Sequence, residues 1–245
     1  MYINDIHIIW YFLIGILGLA VGQFLDWVNL RLADHKRVFC KELIKEYIPN
    51  MKISLKTMYP TAIVYILILY CTGLTVNLLE YLILAPMFIS VFVIDYKKQI
   101  IPNRLALAIL EVAILFAFIS GFSSMSYFLD KIYGMLAGGG IFLVITLIGG
   151  LIAGKEAMGF GDVKLMGALG LVFGLVNTIT LAVIAFLLAA IISIFLIATK
   201  KKKSNEYIPF GPFIIIAAFI VMLVPHGWLL LGLLKIFSLG MYNAA

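Results

Sequence analysis

A chain of 245 residues that is 64% apolar, only 12% charged and of mean hydropathy +1.15 is not a soluble globular domain; in such a domain about a quarter of the residues are charged. The net charge of +6 does not mark a nucleic-acid binder either, because the bases are gathered in short segments between apolar runs, as in the loops of a polytopic membrane protein. Two cysteines, Cys40 and Cys71, without CxxC spacing, and three scattered histidines, His7, His35 and His226, offer neither a disulfide framework nor a metal set.

In chain order, the first predicted element is an apolar run from Ile8 to Leu32, long enough to cross a hydrocarbon core of about 30 Å and too long for a signal peptide. Asp26 and Arg31 near its end read as interfacial groups. Residues 33–57 carry Lys36, Arg37, Lys41, Lys45, Lys52 and Lys56 with Glu42 and Glu46, which predicts a solvated loop with room for one surface helix. Tyr59 to Cys71 and Val76 to Ile94 read as spans two and three, joined by a tight turn at Gly73 to Asn77. Asp95 ends the third span. A polar link follows, in which Pro102 suits the first turn of the next helix.

Span four is expected from Leu105 to Ser120 with Glu111 inside it, then a Ser-rich loop from Gly121 to Asp130, then span five from Ile132 to Ala153, where Gly138, Gly139 and Gly140 permit close helix contact. A polar, glycine-rich stretch around Asp162 precedes a short span six, Leu165 to Phe173, and span seven, Val176 to Thr199. Lys200 to Lys203 end that run, Ile208 to Val224 is span eight, and Trp228 to Leu239 is too short to cross and reads as interfacial or re-entrant. The expected fold is a single all-α polytopic membrane domain, residues 1–245, with about eight transmembrane helices.

Charge sets the orientation. Sixteen of the eighteen lysines and arginines fall in four groups that this reading puts on one side, and the positive-inside rule makes that side cytoplasmic, with the N-terminus outside. Asp95 and Asp162 then both stand at the cytoplasmic ends of spans. An acid at a membrane boundary costs on the order of 2.5 to 3.5 kcal/mol at a helix centre on insertion scales, so function is its default reason. Gly159 and Gly161, lacking Cβ atoms, would let the backbone take positive φ and let a substrate chain approach Asp162. Lys164, with Lys155 and Glu156, either positions the loop and contacts substrate or is solvated interfacial charge. Two carboxyls a few ångströms apart do not both ionise, so one stays a base while the other keeps a proton. Such a pair activates water against a peptide carbonyl without metal, cysteine or histidine.

The block from Gly154 to Gly170, containing Gly-Phe-Gly-Asp162, resembles the corresponding block of type IV prepilin peptidases, and Asp95 with Ile101-Pro102-Asn103 resembles their other aspartate block. Tyr59-Pro60, the Pro209-Phe210-Gly211-Pro212 segment, and Gly22-Gln23-Phe24-Leu25 with Arg31 are similar to that family in the same order. A GxGD motif alone is shared with presenilins and signal peptide peptidases, which lack these surroundings. The resemblance implies an intramembrane aspartic endopeptidase of the bacterial cell membrane, with Asp95 and Asp162 as the catalytic pair, that removes basic leaders from prepilins or pseudopilins. It implies no cofactor for proteolysis and no nucleic-acid partner. Many members also bind zinc through two CxxC pairs and methylate the new N-terminus with S-adenosylmethionine; the 33–57 loop has only Cys40, so zinc is not expected and methyl transfer is in question. Other readings are a preflagellin-type peptidase, a secondary transporter using Glu80, Glu111 and Asp162 as an ion relay, and a non-catalytic assembly factor.

Overall fold

The computed structural model describes residues 2–34, 36, 38, 54–153, 158–200 and 208–238. The surface helix expected within the 33–57 loop, Cys40, Lys155 and Glu156 lie outside the described residues. The chain divides into two compact units, Met1–Val112 and Ala113–Ala245.

The first unit opens on a two-stranded antiparallel hairpin, β1 (Tyr2–Ile3) and β2 (Ile6–His7), with Asn4 and Asp5 at φ 52° and 62° in its turn, as a two-residue hairpin loop requires. Helix α1 (Ile8–Ala33) follows at once, its N-terminus capped by His7, whose ring nitrogen accepts from the Ile9 N–H. Helix α2 (Leu55–Thr72) lies against α1 so closely that a Cβ at Gly18 would stand 2.7 Å from the Ala62 Cα, and one at Gly22 2.7 Å from the Thr57 carbonyl oxygen. Small residues allow this approach where apolar side chains gain nothing over lipid. The Tyr59-Pro60 pair is not ahead of the helix but inside it, because Ser54, whose N–H donates to Gln23 Oε1 at 3.0 Å, sets an earlier start.

Gly73, at φ 66°, turns the chain into α3 (Val76–Lys98). Pro86 lies within α3 and lacks the N–H that would bond to the carbonyl of Leu82. The Tyr65 hydroxyl of α2 donates to that carbonyl at 2.8 Å, so the proline gap becomes a link between helices. Helix α4 (Asn103–Ser123) begins in this unit and ends in the next. Glu111 is exposed on it.

In the second unit α5 (Met125–Ala153) follows α4 with only Ser124 between them, so the predicted loop at 121–130 is helical. Its acid and base serve other helices. Asp130 Oδ1 accepts the Leu175 N–H at 3.3 Å at the start of α7 (Leu175–Ala198), and Lys131 Nζ donates to the Val172 carbonyl at 3.2 Å at the end of α6 (Phe160–Phe173). An anion at a helix N-terminus and a cation at a C-terminus each oppose the macrodipole favourably. Gly174, at φ 78°, joins α6 to α7 beside the Asp130 carboxylate, and α5 crosses α6 through Gly134, Gly138, Gly167 and Gly170. The chain closes with α8 (Gly211–Leu223) and α9 (His226–Phe237).

Six of these helices, α1 to α5 and α7, are long and apolar enough to cross a membrane. Helices α6, α8 and α9, of 14, 13 and 12 residues, are shorter; at 1.5 Å per residue they extend about 18 to 21 Å. The chain is thus an all-α, multi-pass membrane protein.

Candidate active site

Asp95 belongs to the first unit and Asp162 to the second, and each is 4% exposed. Asp95 stands in the last turn of α3, on the face that also carries the buried Val91 and Ile94. The helix stops one turn later because Gln99 adopts left-handed dihedrals, φ 55° and ψ 37°, with its N–H on the Asp95 carbonyl at 2.8 Å. Tyr96 points outward and stacks on Phe92, ring centroids 6.3 Å apart. Lys98 reaches back to α1, where Nζ meets Asp34 Oδ1 at 2.5 Å and the Ala33 carbonyl at 3.2 Å. That exposed contact links the Asp95 end of α3 to the end of α1. Beyond it, buried Pro102 offers its carbonyl to the Leu105 and Ala106 N–H groups and starts α4.

Asp162 occupies the first turn of α6, where free N–H groups carry the positive end of the helix dipole. Its own N–H bonds to the carbonyl of Gly159, the N-cap residue, at 3.0 Å. Gly159 is at φ −70° and ψ 140°, ordinary extended backbone, and Gly161 is helical, so neither uses the positive φ that glycine allows. A Cβ at Gly159 would stand 3.6 Å from Asp162 Oδ2, ordinary van der Waals contact, so the packing here does not itself require glycine. Lys164 is exposed on the same helix.

The Pro209-Phe210-Gly211-Pro212-Phe213 segment starts α8 and builds an aromatic cluster in the second unit. Phe210 lies 5.8 Å from Phe142 of α5, 5.1 Å from Phe186 of α7 and 6.2 Å from Phe213, centroid to centroid. Sequence reasoning did not single out Phe142 or Phe186, since one phenylalanine in an apolar span looks like any other. It also passed over Asn29, which the structure buries at 6% exposure on α1. Glu80, buried at 3%, sits near the opposite end of α3 from Asp95.

Residues 82–194 match the Type IV leader peptidase family, a region that holds both aspartates. Over 142 residues, 58% of this chain, it is 32% identical to an Aeromonas hydrophila protein named prepilin leader peptidase/N-methyltransferase, of which the match covers 48%. It is 26% identical over 202 residues to the Pseudomonas aeruginosa protein of that name, covering 80% of this chain and 67% of the relative, and 27% identical over 175 residues to the Legionella pneumophila one, covering 69% and 59%. With the first of these, the match spans about half the relative's length. No solved structure matches the chain. Through residues 82–194, with Asp95 in the last turn of one helix and Asp162 in the first turn of another, this chain is similar to the Type IV leader peptidase family.

Proposed function

We propose that this chain is an intramembrane aspartic endopeptidase that removes the short basic leader from type IV prepilins or pseudopilins, with Asp95 and Asp162 as the catalytic pair. The observation that carries the reading is the near-complete burial of both carboxyls, 4% exposed each, inside the region that matches the leader peptidase family. The helix ends support a division of roles. The first turn of α6 suits an anion, so we assign Asp162 as the base and Asp95 as the acid. Asp162 takes a proton from water as the water oxygen attacks the scissile carbonyl carbon, while protonated Asp95 donates a hydrogen bond to the carbonyl oxygen. The proton gained by Asp162 then passes to the departing amide nitrogen as the C–N bond breaks. The distribution of bases supports a cytoplasmic site in a bacterial inner membrane with the N-terminus outside. Its substrate is a single apolar helix preceded by a leader that its own charge keeps inside.

The direct test is to express the chain in cells that make a prepilin but lack their own leader peptidase, and to sequence the N-terminus of the product. A prepilin that keeps its leader overturns the proposal.

The two cysteines of the sequence cannot supply the four thiolates of two CxxC pairs, so that zinc set does not fit this chain. Methyl transfer from S-adenosylmethionine is accordingly no part of the proposed reaction. Cleavage is expected to be unchanged by metal chelators and in Cys40→Ser; a loss in either assay argues for a metal or thiol step.

Substrate shape should matter as well. A small residue before the scissile bond keeps that segment unwound, since glycine disfavours helix by about 1 kcal/mol. A prepilin whose pre-scissile Gly is changed to Val is expected to stay uncut. Gly161→Val in the first turn of α6 should lose cleavage while the protein still accumulates in the membrane, as read by immunoblot of membrane fractions. Equal processing of the Gly and Val substrates contradicts the prepilin reading in its central detail.

A further inference from the structure

The Asp95 end of α3 and the end of α1 enclose a recess of about 100 Å³ within the first unit. Its lining is apolar at Leu30, Val93 and Ile94 and charged at Asp26, Lys97 and the paired Asp34 and Lys98. Asn29 also belongs to its wall. That residue is 6% exposed, and neither the amide nitrogen nor the amide oxygen of its side chain has a hydrogen-bond partner among the described residues. A buried polar group left unmatched costs about 1 to 3 kcal/mol. Few are kept without a reason.

From this we propose, building on the peptidase reading, that the recess is a substrate subsite in which Asn29 binds the main chain of the leader. The side-chain amide presents one donor group and one acceptor. A residue in extended conformation presents the complementary pair, its own C=O and N–H on one side of the strand, so two hydrogen bonds form together. Size points the same way. Ligand pockets for whole cofactors or drug-sized molecules hold about 300 to 1,000 Å³, whereas a water's share of liquid is about 30 Å³. A recess of about 100 Å³ admits one peptide unit of a chain that continues beyond it. Ile94, in the wall, is the neighbour of Asp95, so a leader held here lies on the acid side of the proposed pair.

The experiment compares the full-length protein in detergent with its Asn29→Leu variant, using a synthetic prepilin peptide and a set in which successive leader amides are N-methylated. Leucine keeps the volume and removes both orphan atoms. The variant should therefore melt no lower than the parent while its KM rises about tenfold and its kcat stays within about twofold, the loss of a hydrogen-bonded amide pair. One leader position should be sensitive to N-methylation in the parent and insensitive in the variant. Where Asn29→Leu does not fold, Asn29→Ala, which likewise removes both the donor and the acceptor, carries the same comparison. Unchanged KM in a folded variant, or no N-methyl position whose effect depends on residue 29, means that water satisfies the amide and overturns the inference alone. A parent protein that cuts no prepilin peptide removes the peptidase reading and this inference with it.

Discussion

Asp95→Asn and Asp162→Asn are each expected to abolish the proposed leader cleavage, with a fall of at least about 10²- to 10⁴-fold, the usual contribution of a positioned acid or base. Asparagine matches aspartate in shape, so it leaves the last turn of α3 and the first turn of α6 packed as they are. It cannot take a proton from water or give one to a carbonyl. Because both positions are 4% exposed, an uncharged side chain is no worse accommodated there than a carboxylate, and membrane levels of the two variants should equal those of the parent. The double variant should be no slower than either single one, since a pair that acts as a unit loses its function with the first member. The measurement is the fraction of co-expressed prepilin processed, normalised to enzyme in the membrane fraction. Processing above about a tenth of the parental rate by either single variant removes that aspartate from the proposed reaction, and by both removes the aspartic mechanism.

Hydropathy made the long helices legible, because an apolar run of about 20 residues has few alternatives to spanning. The predicted starts of α1 and α3, at Ile8 and Val76, coincide with the helices found. The turn at Gly73 was readable too, since glycine suits a left-handed φ. Other features depend on contacts between distant parts of the chain. Ser and Asp within 121–130 look like a loop, yet Asp130 and Lys131 are helical and serve the ends of α7 and α6, more than forty positions away. Nothing local signals that use. The sequence reading starts span two at Tyr59, whereas α2 starts at Leu55, next to the Ser54 contact to Gln23 on α1. Asn29 was hidden for the opposite reason: a single amide within a span carries no period or motif, and only the burial of its orphan atoms makes it conspicuous. For the candidate site, the sequence supplied the acids and the glycines near Asp162. It did not supply the helix-end positions on which the proposed assignment of base and acid draws.

The glycine crossing of α5 and α6 predicts the largest effect on stability. A Cβ at Gly170 would fall inside the van der Waals surface of the Gly134 carbonyl and 2.8 Å from the Met135 nitrogen, and both are backbone atoms that no rotamer change can move aside. One at Gly138 would meet the Thr178 Cγ2 at 2.9 Å. Overpacking within a flexible core costs about 1 to 3 kcal/mol; against fixed backbone the cost lies at or above the upper figure. Gly170→Val is therefore expected to force α6 away from α5, to lower the melting temperature in detergent by about ten degrees or more, and to reduce the amount of protein in the membrane. Asp162 rides on α6, so cleavage should be lost with the fold, unlike the aspartate variants, which lose cleavage alone. Gly140 provides the contrast on α5: nothing lies within 4 Å of its would-be Cβ, so Gly140→Ala meets no clash and recovers the helix propensity that glycine lacks, about 0.5 to 1 kcal/mol. It should melt at or slightly above the parent and cleave normally. A Gly170→Val protein that matched the parent in melting and cleavage would show that α5 and α6 do not cross through these glycines, and the placement of Asp162 would then need another support.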